Sequence, residues 1–352
     1  MSVERPLPPE DLNHVRLGAV ALWPELRDAR ILITGASGFF GRWLIESLLS
    51  ADERYKLGVR MVALSRDPDR FQDGAPHLAG SALRWIRGSV ATLEPGDLGG
   101  EKLDMVIHLA TEADPRADPC AARAVITDGT RRALAVAARA RARRFLFTSS
   151  GAVYGRQPAD LERIDESYPG RPDLTDPTSP YALPGEAKRQ AELLCEKCAR
   201  EDGLGAVIAR CFTFAGPGLP ADSKFAFGNF MRDALAGGPI VVEGDGTPVR
   251  SYLHGADLAV WLWTLLLRGA PGRAYNVGSE RAVSLRRLAE TIGETLGIPR
   301  VEVLKSARPG HAPDRYVPST ARARDELGLS ESFELQEIIR RTAAWQRMAV
   351  KR

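Results

Sequence analysis

The sequence predicts an α/β chain: a doubly wound parallel sheet joined to a smaller C-terminal α/β lobe. Three observations carry this. Short apolar runs alternate with amphipathic stretches through residues 29–212, the pattern of strand–helix–strand crossovers. A glycine-rich turn closes the first run and opens the first helix of that series. The chain has 352 residues, more than one compact core usually fills, so two domains are expected.

Each element follows from its residues. Ala29–Thr34 is a short apolar run ending at glycine and reads as a buried strand. Gly41–Leu49 places Trp43, Leu44 and Leu48 at helical spacing. Val59–Leu64 and Met105–Leu109 read as further buried strands, and Thr130–Ala142 as an Ala- and Arg-rich helix. Arg144–Thr148 is the next strand, Glu186–Glu201 a charged amphipathic helix, and Ala206–Phe212 another strand. The last third is mixed: a helix at Phe225–Leu235, a strand at Ile240–Val242, and helices near Leu285–Leu296 and Ser332–Arg347. Five prolines between Tyr168 and Pro184 mark a loop between lobes.

Composition narrows the function classes. Hydrophobic residues at 44% and charged residues at 26% exclude a disordered or fibrous chain. A net charge of +3 without a basic stripe gives no reason to expect nucleic acid. The longest apolar stretch, Ala259–Leu267, falls short of the roughly 20 residues of a membrane span. Four cysteines form no disulfide framework, and the polar N-terminus shows no secretory pattern, so a reducing, cytoplasmic setting is expected. The five histidines show no metal-ligand spacing, and no metal is expected.

Gly35-Ala36-Ser37-Gly38-Phe39-Phe40-Gly41 places glycines three apart between a strand and a helix. Gly35 permits a tight turn, Gly38 lets backbone approach a phosphate, and Gly41 lets helix pack on strand. The helix N-terminus then favours a pyrophosphate. The slot after the second strand reads Ser65-Arg66-Asp67. Arg66 suits a 2′-phosphate and NADP, while Asp67 suits ribose hydroxyls and NAD.

A second constellation lies downstream. Thr148-Ser149-Ser150-Gly151-Ala152-Val153-Tyr154-Gly155 follows a strand, and a hydroxyl there can polarise a sugar oxygen. Ser179-Pro180-Tyr181 and Gly185-Glu186-Ala187-Lys188 come next. A phenol near a lysine and a nicotinamide cation has a lowered pKa and can act as base near neutral pH.

On these residues the chain resembles the extended short-chain dehydrogenase/reductases, in their NAD-dependent nucleotide-sugar epimerase/dehydratase group. The resemblance covers about residues 29–347 and extends to Val106–Ala110, Gly129-Thr130, Arg210 with Ala215–Pro217, Gly244–Ala259, Tyr275–Ser279 and Arg308–Gly310. It implies a Rossmann-type sheet and a substrate-binding lobe. The boundaries expected are an N-terminal extension at 1–28, a dinucleotide-binding domain at 29–215 with 240–270 returning to it, and a nucleotide-sugar-binding lobe at 216–239 and 271–352. It implies Ser150, Tyr181 and Lys188 as catalytic residues. Gly35, Ser37, Gly38, Phe39, Phe40, Gly41, Ser65, Arg66, Ser89, Leu109, Ala110 and Lys188 fall on cofactor-binding positions. Thr111, Glu112, Thr213, Asn229, Arg250 and Arg308 fall on substrate-binding positions, the two arginines as diphosphate ligands, which suits their planar fork. Relatives commonly pair through helices beside the catalytic one, so a homodimer is expected.

Several positions depart from the family. Its tyrosine and lysine stand four apart, whereas Tyr181 and Lys188 are separated by seven, with Pro184 in the slot four before the lysine. On a continuous helix that is about 10 Å of axial separation instead of about 6 Å. Pro184 favours a helix beginning near it, which would leave Tyr181 on the preceding loop. Ser89, Thr213, Ile126 and His311 replace residues the family often carries.

The dehydratases of the family carry Asp-Glu after the catalytic hydroxyl, and the decarboxylases a nearby glutamate. Here Gly151-Ala152 follows Ser150, which disfavours both reactions. Epimerisation of a nucleotide diphosphate sugar, by hydride removal and return through a transient keto intermediate, is the first reading and favours bound NAD. An NADPH-dependent keto-sugar reductase and a catalytically silent dinucleotide-binding protein are the alternatives. His108 reads as a satisfied core histidine, and Cys195 with Cys198 as idle thiols on a helix. Arg139–Arg144 reads as a solvated helix end.

Overall fold

Apolar runs between residues 30 and 211 form the middle of a seven-stranded sheet. The computed structural model describes residues 5–348 apart from 79, 81, 112–118, 177–178, 180–181, 221–224, 299, 308–309 and 311. In chain order the elements begin with α1 (Pro9–Gly18), β1 (Arg30–Thr34), α2 (Phe39–Tyr55), β2 (Arg60–Ser65), α3 (Pro68–Gly74) and β3 (Leu83–Arg87). Next are β4 (Met105–His108), α4 (Pro119–Arg139), β5 (Arg144–Ser150), α5 (Ala182–Glu201), β6 (Gly205–Cys211) and β7 (Phe214–Ala215). Then follow α6 (Ala226–Leu235), β8 (Ile240–Val242), β9 (Val249–Arg250), β10 (Leu253–His254), α7 (Gly255–Arg268) and β11 (Ala274–Val277). The chain ends with β12 (Val283–Ser284), α8 (Leu285–Leu296), β13 (Val301–Val303), α9 (Ala321–Leu327) and α10 (Leu335–Arg347).

The large sheet runs β11-β6-β5-β4-β1-β2-β3. Pairing is parallel from β6 to β3, with Ile31 in register with both Met61 and Met105, and Phe145 with Ala206. Parallel strands buried on both faces need no polar alternation, and β1 and β4 read apolar along their length. One face, Leu32, Val62, Val106, Phe145, Phe147 and Ile208, packs with α4 (Ala133, Val136, Ala137) and α5 (Ala187, Ala191, Cys195). The chain order reverses between β1 and β4, the kind of switch point beyond whose carboxyl strand ends doubly wound sheets bind ligands.

Contacts divide the chain into two units: Met1–Gly155, Pro169–Cys211 and Ala259–Tyr275 in the first, and Arg156–Tyr168, Phe212–Leu258 and Asn276–Arg352 in the second. These bounds differ from the expected ones. Residues 156–168 join the second unit because Ile164 pairs with it: its N–H donates to Val317 O at 3.0 Å, and its carbonyl accepts from Ser319 N and the buried Asn276 amide. Residues 240–258 stay there too, since β8 pairs with β13 and β9 with β12. Only 259–275 returns to the first unit. The proline-rich segment from 169 onward belongs to the first unit, where the Arg171 carbonyl lies 2.3 Å from where a Cβ on Gly155 would stand.

Residues 5–28 also belong to the first unit. Leu7 N donates to the buried Glu46 carboxylate at 2.6 Å, and Arg268 pairs with Glu25. Trp23, 1% exposed, meets Trp263 edge-on at 6.0 Å, while the Trp263 indole donates to Ser47 Oγ. Trp23→Ala empties this contact between the extension and α7 and is expected to cost about 3–5 kcal/mol, measured by denaturant unfolding.

The helix expected at Thr130–Ala142 begins earlier and ends sooner. It is α4, Pro119–Arg139, with Arg141 in the left-handed region just beyond its end. Among the described residues no helix is long and apolar enough to cross a membrane.

Candidate active site

The glycine turn lies at the carboxyl end of β1, next to β4. Gly35 has φ +68°, and a Cβ there would stand 2.7 Å from Ala110 N. A Cβ on Gly41 would stand 2.3 Å from Ala36 O. Both contacts are with backbone, so both positions exclude a side chain for reasons internal to the fold. Gly38 differs. It caps α2 with no side-chain hydrogen bond, is exposed, and a Cβ would meet only Gly35 O at 3.4 Å. Glycine at Gly38 therefore satisfies no protein neighbour. A bare backbone at the N-terminus of a 17-residue helix is the cradle that a pyrophosphate requires, and the residues present fit a dinucleotide.

The other positions expected to bind cofactor lie in the first unit, and Ser65, Leu109 and Ala110 are tied to this turn or to the strand before it. Leu109 N donates to Thr34 O at 3.2 Å, and Ala110 N to Thr34 Oγ1 at 3.3 Å, which fastens the end of β4 against the turn. Ser65 Oγ donates to Ser37 Oγ at 3.3 Å and accepts from Asp67 N at 3.3 Å, tying the end of β2 to the same turn. Arg66 and Asp67 are exposed, and Asp67 lies 3.6 Å from Arg87. Phe39 and Phe40 are half-buried, Phe39 against Trp43. Ser89 accepts from Ala91 N and caps a short 3-10 turn. Thr111 is exposed.

Ser150 ends β5, and its Oγ accepts from Ala152 N at 3.1 Å. That bond starts a 3-10 turn, Gly151–Tyr154, every residue of which is buried. Lys188 lies on α5, 6% exposed. Its Nζ donates to Thr148 O at 2.7 Å and sits 4.8 Å over the Phe147 ring. The ammonium is thus anchored two residues before Ser150 on the same strand. Burial pushes its pKa down from 10.5 to about 8, against an opposing pull from Cys211, Glu192 and Cys195. α5 starts at Ala182, so Pro184 sits in the first turn, where its missing N–H costs nothing. Tyr181 lies outside the described residues, as do Glu112 and Arg308.

His108 is fully buried, with Thr34 Oγ1 2.7 Å from Nδ1 and Thr130 Oγ1 3.0 Å from Nε2. Burial first, and Lys188 second, push its pKa down to about 3, so the ring is neutral near pH 7. Cys195 is buried and Cys198 partly so, both on α5, and burial raises both thiols.

Of the described positions expected to bind substrate, Thr111 lies in the first unit, and Thr213, Asn229 and Arg250 lie in the second. Thr213 O accepts from Leu253 N, next to β7. Asn229 is on α6, its Oδ1 3.4 Å from Arg232 Nη1. Arg250 is held by the 312–316 segment. Nη2 donates to Asp314 Oδ2 at 2.7 Å, Nη1 donates to the carbonyls of Val249 and Asp314, and the guanidinium lies 6.0 Å from the Tyr316 ring centre.

Sequence reasoning did not single out one cluster in the first unit. The Glu192 carboxylate accepts from Arg210 Nε and Nη2 and from Ser149 Oγ, and Arg210 Nη1 donates to Tyr154 Oη. The one available signal was spacing: Glu192 stands one helical turn after Lys188.

A family model for the NAD dependent epimerase/dehydratase family matches residues 31–278. The chain is 29% identical over 326 residues to a dTDP-glucose 4,6-dehydratase of Streptomyces niveus, covering 90% of this chain and 93% of that one. It is 29% identical over 311 residues to UDP-glucuronic acid decarboxylase 6 of Arabidopsis thaliana, covering 88% and 86%. The fold overlays on UDP-glucose 4-epimerase of Thermotoga maritima with TM-score 0.77 at 22% identity, over 92% of this chain and 100% of that one. The matched segment contains the glycine turn, Ser150, Lys188 and Arg250, and the chain belongs to the NAD dependent epimerase/dehydratase family, within the extended short-chain dehydrogenase/reductases.

Proposed function

We propose that this chain epimerises a nucleotide diphosphate sugar through a transient keto sugar. The observation that carries this is the turn after Ser150. Gly151, Ala152 and Val153 are buried and bring no acid or base beside the hydroxyl, so elimination of water or loss of carboxylate finds no helper there. The similar dehydratase and decarboxylase leave those reactions as the ones the test must separate.

When bound, NAD supplies a hydride acceptor that the same turnover regenerates. The Gly35–Gly41 turn is proposed to hold its pyrophosphate, Ser65 to Asp67 its adenosine ribose, and Lys188 its nicotinamide ribose. Ser150 donates its O–H to the sugar oxygen while its Oγ accepts from Ala152 N. Tyr181 serves as base, its phenol made more acidic by the Lys188 ammonium. Keeping that ammonium charged needs a pH below about 8.

Arg250, with Arg308, is proposed to take the diphosphate, and the Asp314 and backbone contacts fix its plane beforehand. Arg250→Ala is expected to raise KM for the nucleotide sugar about tenfold or more while leaving kcat nearly unchanged, the mark of lost uniform binding; steady-state kinetics check it.

The reading is tested by releasing and identifying the bound dinucleotide, then incubating the protein with a panel of nucleotide sugars. Tightly held NAD and isomeric products without net reduction are expected. Consumption of added NADPH would point to a reductase instead, and binding without turnover to a silent protein.

A further inference from the structure

Resting on the catalytic roles proposed above for Ser150 and Lys188, we infer that Glu192 is a positioning residue that ties the Ser150 turn to the helix bearing Lys188. Glu192 is 4% exposed on α5, four residues and about 6 Å of helix axis beyond Lys188. Its Oε1 accepts from Ser149 Oγ at 2.5 Å and from Arg210 Nε at 3.1 Å. Its Oε2 accepts from Arg210 Nη2 at 2.7 Å and Nε at 3.2 Å. The remaining arm of Arg210, Nη1, donates to Tyr154 Oη at 3.0 Å, and the guanidinium lies 4.9 Å from the Tyr154 ring centre.

The two ends of this network matter. Ser149 immediately precedes Ser150, and Tyr154 closes the 3-10 turn that follows it. Both flanks of the Ser150 segment are therefore held to one carboxylate, Ser149 directly and Tyr154 through Arg210. Arg210 is the register partner of Ser149 on β6, so three elements, β5, β6 and α5, meet at this ion pair. Lys188 Nζ adds a second link between α5 and β5 at Thr148 O.

A buried ion pair contributes little net stability compared with an apolar cluster of the same shape. Its distinctive property is direction: a satisfied network in a low-dielectric interior fixes the relative orientation of the groups it joins. Here those groups flank one catalytic hydroxyl and share a helix with the catalytic ammonium. The placement of Ser150 relative to Lys188 is what the network controls.

The test uses the full chain with NAD. Ser149→Ala and Tyr154→Phe each cut one link to the Ser150 turn and leave the Glu192–Arg210 pair whole, so the variants should fold even if Glu192→Gln does not. In the double variant, backbone amides of residues 151–155 are expected to exchange about tenfold faster, since each lost hydrogen bond frees local opening. kcat is expected to fall about tenfold, with KM for the sugar and the affinity for NAD unchanged. Unchanged exchange across 151–155 in the double variant would overturn the inference, as would a rise in KM with kcat unmoved. If the wild-type chain turns over no nucleotide sugar, the functional reading fails by itself, while the exchange measurement still decides whether the tether exists.

Discussion

Gly38→Ala is expected to leave the fold intact and to weaken NAD binding by about a hundredfold or more. A Cβ there meets no protein atom closer than 3.4 Å, and alanine at a helix cap in place of glycine costs about 1 kcal/mol. The added methyl would instead occupy the space over the amides where a pyrophosphate must come close. Gly41→Ala is the control with the opposite signature. Its Cβ would stand 2.3 Å from Ala36 O and 2.6 Å from Ala36 C, rigid backbone that cannot yield, and overpacking of that kind costs about 3 kcal/mol or more. Thermal denaturation and NAD titration of the two variants check this. Wild-type NAD affinity in Gly38→Ala would reduce the turn to a structural device.

Lys188→Met is expected to cut turnover by about a hundredfold or more without loss of fold stability, because a buried ammonium is replaced by an apolar chain of similar length. The pH dependence carries the sign. Burial depresses the native pKa to about 8 against 10.5 for the free side chain. Below about 8 the lysine is charged in both states and the cost of burying it is present in full. Between about 8 and 10.5 the unfolded chain binds the proton and the native one does not, so stability rises with pH. Lys188→Met loses this rise, which denaturant melts across that window would show. Activity is expected to move the other way: wild-type turnover falls as pH climbs past about 8, because the charge proposed to acidify Tyr181 and to hold ribose disappears.

The sequence made the interior of the sheet legible because parallel strands covered on both faces read as unbroken apolar runs. Ile31–Ile33, Val106-Ile107 and Phe145–Phe147 are such runs, each 0% exposed. It missed β3, Leu83–Arg87, an edge strand whose exposed Arg84 and Arg87 break the run. The first half of α4 was missed because Ala and Arg around residue 122 give little hydrophobic contrast. The two-residue strands β7, β9, β10 and β12 are set by tertiary pairing, which no local pattern encodes. In the candidate site, the glycine turn, Ser150 and Lys188 could be proposed from sequence because short motifs carry them. The Glu192 network was not. Ser149 and Glu192 lie 43 residues apart, and Tyr154 and Arg210 lie 56 apart, so only the fold unites them. Asp314 met Arg250 in the same way, across 64 residues.

The central claim is that the sugar leaves this site with its atoms unchanged and one carbon inverted, and product mass measured in heavy water tests it most directly. Turnover of a nucleotide sugar should give an isomer of unaltered mass with no deuterium bound to carbon, because the hydrogen removed is the hydrogen returned. A product lighter by water and labelled on carbon, or one that has lost carbon dioxide, would contradict it.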